Sequence, residues 1–144
     1  MPYCQLLYHF VWATKDRAPR LTAETEPLLH RLLRVKAVQL GAHVYALNGI
    51  EDHVHLIAAV PPSLAISRFV GQVKATAATQ FNKSGQDELP FFWQQEYGAF
   101  TFDLPRLPYH VKYVREQKEH HRRGSVKALL ERCAPPDEES PASG

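Results

Sequence analysis

The order in which strand-like and helix-like segments follow one another constrains this chain most. Residues 3–13 are aromatic and β-branched with few breakers and read as a strand. After a loop at 14–20, Thr22 stands as the N-cap of a helix reaching about residue 40. Leu28, Leu29, Leu32, Leu33, Val35 and Val38 recur there at helical spacing, and Gly41 ends it. Two short apolar segments, 43–50 and 53–60, are split by Glu51-Asp52 and predict a hairpin. Pro61-Pro62-Ser63 stops the second of them. Ile66, Phe69, Val70, Val73 and Ala77 then share one face of a second helix over 64–81. A polar loop at 82–90 leads to a fourth strand at 98–102, and a third helix spans 105–124, with proline near its start and glycine at its end. A further short helix is expected over 125–132. The series predicts an α+β fold: a ferredoxin-like (RRM-like) βαββαβ antiparallel sheet with helices on one face, plus an added C-terminal helix.

With 144 residues, 44% of them hydrophobic, the chain can bury one core, so residues 1–133 read as a single domain and 134–144 as a disordered tail. No apolar run reaches the roughly 20 residues of a membrane span. The first residues lack the basic and small-residue signals of a secretory leader. Cys4 and Cys133 sit far apart with no metal-binding spacing, which argues against a disulfide scaffold and for a reducing, cytoplasmic setting. The net charge is only +2, but it is concentrated. Between residues 105 and 132, eight basic side chains (Arg106, Lys112, Arg115, Lys118, Arg122, Arg123, Lys127 and Arg132) face three acids, Glu116, Glu119 and Glu131. Such a stretch suits a phosphate-facing surface, although solvated helices can look the same.

The sharpest local feature is Asp52-His53-Val54-His55-Leu56-Ile57. On a strand, positions two apart face one way, so His53 and His55 project together while Val54, Leu56 and Ala58 face the core. Paired imidazoles suit a divalent metal; the alternative is a solvent-facing strand with two incidental histidines. In the third helix Tyr113 and Gln117 lie four residues apart and so stack on one face. A phenolate is a competent nucleophile towards a phosphodiester, and its pKa near 10 must be offset by positive surroundings such as Lys112, Arg115 and a bound cation. Gln117 offers a neutral oxygen as a third ligand beside the histidines. Asp52 reads as a turn residue or as a partner orienting a ligand histidine. The run Glu119-His120-His121 reads as solvated or DNA-facing surface, and His9, His30 and His43 read as structural.

Four segments together, YHFVWATKDRAPRL, EDHVHLIAAVPPS, FFWQQEYGAF and YVREQKEHH, resemble the single-tyrosine HUH transposases of bacterial and archaeal insertion sequences, including their REP-associated relatives. The resemblance spans roughly residues 3–121. It implies action on single-stranded DNA carrying hairpins near the ends of an element. His53, His55 and Gln117 would be the metal ligands, with Mg or Mn as the ion. Tyr113 would attack the phosphate, leaving a 5′-phosphotyrosine and a free 3′-hydroxyl, so that another strand can be rejoined without ATP. It also implies a homodimer. Tyr109 precedes Tyr113 by one turn, but only Tyr113 has the glutamine four residues on.

Lys15, Arg17, Arg20, Lys74 and Arg106, together with Lys112 and Arg115 on the third helix, are candidate DNA phosphate contacts. Trp12, Phe91, Phe92 and Trp93 could stack on bases or fill the core. Two other classes compete with the strand transferase. One is a non-catalytic, domesticated hairpin-binding protein, which would need none of His53, His55, Tyr113 and Gln117. The other is a metal-dependent hydrolase, which would still cleave after Tyr113→Phe.

Overall fold

The computed structural model describes residues 4–134. Four strands, β1 (Leu7–Ala13), β2 (His43–Ile50), β3 (His53–Ala59) and β4 (Gly98–Thr101), form one sheet in the order β2-β3-β1-β4. Every neighbouring pair is antiparallel. With α1 (Glu26–Gln39) and α2 (Ile66–Ser84) as crossovers, this is the predicted ferredoxin-like βαββαβ arrangement. No helix among the described residues is long and apolar enough to cross a membrane. The expected tail at 134–144, except Ala134, and the start of the first strand at Tyr3 lie outside the described residues.

Strand alternation sends Phe10, Trp12, Val54, Leu56 and Ala58 to one side of the sheet. There they pack with Leu29, Leu33 and Ala37 of α1 and with Phe69, Val70, Val73 and Ala77 of α2. The other side is covered as well. Val114, Leu107 and Val111 of α3 (Leu107–Arg115) pack on Ala46 and Ile57. The sheet is therefore buried on both faces, and the second face holds the polar residues.

Helix ends differ from the sequence expectation for local reasons. Helix α1 begins at Glu26 rather than just after Thr22. A start at Thr22 would place Pro27 deep enough for its missing N–H and its ring to break the hydrogen-bond ladder, whereas at the first turn proline is tolerated. Residues 22–25 instead form a turn in which Thr25 Oγ1 accepts from the Thr22 amide at 2.9 Å and donates to the Arg20 carbonyl at 2.7 Å. Helix α2 runs one turn past the expected end to Gly85, which takes the left-handed conformation that stops it (φ 70°). The third helix is not continuous. It breaks at Glu116 (φ −94°, ψ 18°) into α3 and α4 (Gln117–Arg123), and the short C-terminal helix is a 3-10 turn at Ala128–Glu131.

Candidate functional site

Register builds the site. In β3, His53 pairs with Ala13 of β1 and Ile50 of β2, and His55 pairs with Val11 and Asn48. Both histidines lie within the sheet, on the face opposite the apolar layer. They are buried, His53 at 2% and His55 at 0% exposure, so the solvent-facing strand is not what forms. What covers them comes from α3, α4 and the Ala128–Glu131 turn.

The side chains converge. His53 Nε2 lies 3.1 Å from Gln117 Oε1 and 3.0 Å from Glu131 Oε1, and His55 Nε2 lies 3.2 Å from the Glu131 carboxylate. His121 Nε2 is 2.6 Å from Gln117 Oε1 and 3.0 Å from Glu131 Oε1. The Tyr113 hydroxyl donates to Glu131 Oε2 and accepts from the Lys127 amide at 2.9 Å. Tyr113 and Gln117 thus meet the two histidines from separate helices, with the break at Glu116 between them, rather than from one face of a single helix. One ligand atom each from His53, His55 and Glu131 lies within 4.8 Å of the others. On the far side of His53, Asp52 Oδ1 accepts from Nδ1 at 2.8 Å, so Asp52 is both the turn residue and the partner that orients the ring.

The electrostatics follow from burial around one carboxylate. Burial opposes charge on Glu131, but hydrogen bonds from His53 and His55 outweigh it and hold its pKa below the usual carboxylate range. Burial also opposes protonation of His53, yet its bonds to Glu131, Asp52 and Gln117 raise its pKa. His55 goes the other way, because burial dominates and lowers its pKa. For Tyr113, burial first and the bond to Glu131 second push the phenol above its ordinary value. The resting phenol is therefore protonated and anchored.

The basic candidates divide into two groups. Lys74 is buried, its Nζ donating to the carbonyls of Gln94 at 2.5 Å and Glu96 at 3.1 Å. Arg20 bonds the Pro90 carbonyl at 2.9 Å and the Asp87 carboxylate at 3.1 Å. Both hold the loop between α2 and β4 in place. Lys15, Arg17, Arg106, Lys112 and Arg115 are exposed, with Lys15 over the Phe92 ring, Arg17 3.8 Å from Asp52 and Arg106 3.6 Å from Asp103. Among the aromatics, Trp12 and Phe91 are core while Phe92 is exposed. Tyr109 is exposed and outside the cluster of donors.

Sequence reasoning misses three contributors. Glu131 stands in the basic stretch as one acid among several. His121 is expected at the surface. His9, read as structural, bonds through Nε2 to His55 Nδ1 at 2.8 Å. Gly98 carries a signal for Glu131. A Cβ there would lie 1.9 Å from the Arg132 carbonyl, so the glycine lets the C-terminal segment pass close enough to β4 to deliver the carboxylate.

The chain has relatives. The model of the family described as "Transposase IS200 like" matches residues 3–117. Among curated proteins, the chain is similar to the ISDra2 transposase TnpA of Deinococcus radiodurans, 38% identical over 74 residues, which cover 51% of this chain and 53% of that protein. It is also similar to the transposase for insertion sequence element IS200 of Salmonella typhimurium, 25% identical over 71 residues, covering 49% of this chain and 47% of that one. The chain thus spans about half the length of the curated relatives it matches. A crystal structure from Deinococcus radiodurans, described as that of a transposase, superposes with a TM-score of 0.64 at 27% identity, covering 81% of this chain and 93% of the other. The fold is also that of a REP-associated tyrosine transposase solved bound to a REP hairpin, with a TM-score of 0.62, 14% identity, and coverage of 97% and 93% of the two chains.

Proposed function

The chain belongs to the IS200-like transposase family, and we propose that it cleaves and rejoins single-stranded DNA through a covalent 5′-phosphotyrosine at Tyr113. The proposed substrate is DNA bearing a hairpin. The homodimer and the cytoplasmic setting implied by the family resemblance belong to the same reading. The observation that carries it is the meeting of the Tyr113 hydroxyl and the His53 and His55 Nε2 atoms on a single carboxylate, Glu131, with Gln117 Oε1 beside them. A pure hairpin-binding domain has no need to bury such a set.

The residues fit a divalent cation, Mg or Mn. Two imidazole nitrogens, one amide oxygen and one carboxylate form a mixed donor set of the kind such ions accept. The Gln117 amide is engaged through its oxygen alone, since its buried nitrogen has no partner among the described residues. His53, His55 and Gln117 would hold the ion, with Glu131 as a fourth donor. Bound there, it would offset the Glu131 charge, lower the phenol's pKa and polarise a phosphodiester.

The chain's own residues do the rest. Asp52 fixes the His53 ring, and Glu131 and the Lys127 amide fix the Tyr113 hydroxyl. In the cleavage step the phenolic oxygen bonds to phosphorus as the bond from phosphorus to the 3′-oxygen breaks. The phenolic proton leaves through its acceptor, Glu131, and the freed 3′-oxygen takes up a proton as a hydroxyl. Attack by another 3′-hydroxyl reverses the sequence and releases Tyr113. Lys15, Arg17, Arg106, Lys112 and Arg115 present their charges outward as contacts for DNA phosphates, while Arg20 and Lys74, already bonded, shape the loop beside them.

Labelled single-stranded oligonucleotides from both flanks of the gene, incubated with the protein and Mg²⁺ or Mn²⁺ and run on a denaturing gel, test this. A DNA-linked protein band is expected, lost in Tyr113→Phe and in His55→Ala. Cleavage with no adduct would move the assignment to a hydrolase. Hairpin binding without cleavage, on DNA known to contain the element's ends, would move it to a binding protein.

A further inference from the structure

Three buried histidines from three elements are joined in series. His9 on β1 is 0% exposed, and both its ring nitrogens bond to other imidazoles. Its Nε2 lies 2.8 Å from His55 Nδ1, and its Nδ1 lies 2.9 Å from His110 Nδ1. His110, on α3, stacks on Phe102 with centroids 4.0 Å apart and lines a surface cavity with Arg106, Tyr109 and Lys127. At the other end, His55 Nε2 faces Glu131. The series therefore runs from the edge of the molecule to the catalytic cluster, and it ties the helix carrying Tyr113 to one of the two strand histidines.

A neutral imidazole has one N–H and one lone pair, so three rings in series with both bonds made have only two neutral arrangements. In the first, His55 donates from Nε2 to Glu131 and accepts at Nδ1 from His9 Nε2–H, while His9 Nδ1 accepts from His110 Nδ1–H. In the second every bond is reversed. His55 Nδ1–H donates to His9, His9 Nδ1–H donates to His110, and His55 Nε2 is an open lone pair. Passing from the first to the second removes one proton at His55 Nε2 and adds one at His110 Nε2, so the series stays neutral. His9 is wholly buried with both ring nitrogens already engaged, so a second proton on the middle ring would have to displace one of the two bonds. His53 differs: its Nδ1 partner is the Asp52 carboxylate, which can only accept, so its orientation is set one way.

We propose that His9 and His110 are positioning residues that set the tautomer of His55, turning its Nε2 lone pair toward the cation that replaces the Glu131 contact. The proposal rests on the reading of His53 and His55 as ligands. It assigns His9 the part that Asp52 plays for His53, in a neutral and reversible form. Hydrogen-bond partners of ligating histidines orient the ring and raise its basicity, and removing them typically weakens metal binding about 10- to 100-fold.

The test uses the full chain with ¹⁵N-labelled histidine, Zn²⁺ as a diamagnetic probe for long-range ¹H–¹⁵N correlation spectra, and Mn²⁺ for calorimetry. Zn²⁺ is expected to leave His55 protonated on Nδ1, His9 on Nδ1 and His110 on Nε2. His9→Phe, which keeps an aromatic ring there but no nitrogens, is expected to weaken Mn²⁺ binding about 10- to 100-fold. His9→Gln, whose amide oxygen can accept from His55 Nδ1–H, is expected to recover part of that affinity. A loaded wild-type protein with His55 Nδ1 unprotonated overturns the proposal without recourse to any variant. So does Mn²⁺ affinity in His9→Phe within about twofold of wild type, well short of the effect expected when such a partner is removed. Wild type that binds neither ion fails differently, removing the metal reading and the positioning role with it.

Discussion

The two faces of the sheet are made by alternate residues of the same strands, yet they are buried for different reasons. On one face Phe10, Trp12, Val54, Leu56 and Ala58 meet α1 and α2 in a layer of hydrocarbon and aromatic rings. On the other, His9, His53 and His55 lie among a smaller apolar cluster, buried as fully as the residues behind them. The first face needs only volume and hydrophobicity, and its contacts are non-directional. The second depends on directional partners for its imidazoles, because an unpaired buried polar group costs about 1–3 kcal/mol. The Gln117 nitrogen is the site atom left without a partner among the described residues. Burial therefore supplies stability on one face. On the other it supplies an ordered set of donors and acceptors.

The comparison breaks most visibly if a core aromatic is removed. Phe69 of α2 is wholly buried in the apolar layer. Phe69→Ala is expected to lower the unfolding free energy by about 3–5 kcal/mol, the usual range for such truncations. Tyr113→Phe keeps the ring and removes only a hydroxyl, so it is expected to leave the denaturation midpoint much closer to wild type while abolishing the DNA adduct. Urea titrations of both variants beside the cleavage assay check the pair. Equal destabilisation by the two would mean that the faces are not energetically distinct.

A smaller effect comes from acid. The folded pKa of His9, about 2, lies below the ordinary value of 6.5, so protonation favours the unfolded chain. Its contribution is complete above about pH 6.5 and is lost as pH falls towards the folded value, at about 1.4 kcal/mol per pH unit. At pH 5 that is about 2 kcal/mol for this one group. His30, His55 and His110 shift in the same direction. His53 shifts oppositely and gains stability as it protonates. Metal-free wild type should therefore be less stable at pH 5 than at pH 7, with a shallower decline in His9→Gln. An unchanged slope in that variant would show that His9 can charge where it sits.

The apolar face is legible in the sequence and the polar face only half so. Residue spacing gives the strand and helix order, and it correctly sends Val54 one way and His55 the other. It also brings Tyr113 and Gln117 to one region, though it misses the break at Glu116, where neither proline nor glycine marks the change. His121 follows Gln117 by four residues on α4, so helical spacing carries a signal for it. Glu131, by contrast, is invisible as a site residue for a physical reason. The place of Glu131 depends on a fold-back of the C-terminal segment onto β4, a long-range contact with no local periodicity. The trace it leaves is Gly98, where a side chain would strike the Arg132 carbonyl. His9 reads as structural because a histidine in a strand interior has the same pattern whether it fills space or bridges two rings.

The smallest stability effect is expected outside both faces, where Lys112 and Arg115 lie on the exposed side of the helix whose inner side carries Tyr113. Substituting either by alanine removes no buried contact, so unfolding free energy should stay within about 0.5 kcal/mol of wild type. Their proposed work is with phosphates, and that has its own signature. Removing one phosphate-binding charge should reduce the slope of log affinity for single-stranded DNA against log salt by about 0.7. It should weaken binding to different sequences by similar factors, because phosphates carry no base identity. Binding measured across a salt series for Lys112→Ala, Arg115→Ala and the pair separates this from a solvated helix surface. If all three slopes match wild type, DNA does not cross this side of α3, and the basic stretch serves solubility instead. If the slopes fall while stability holds, one helix divides its labour by side. The inner residues are fixed by burial for chemistry, and the outer ones are left in water to meet the strand on which that chemistry acts.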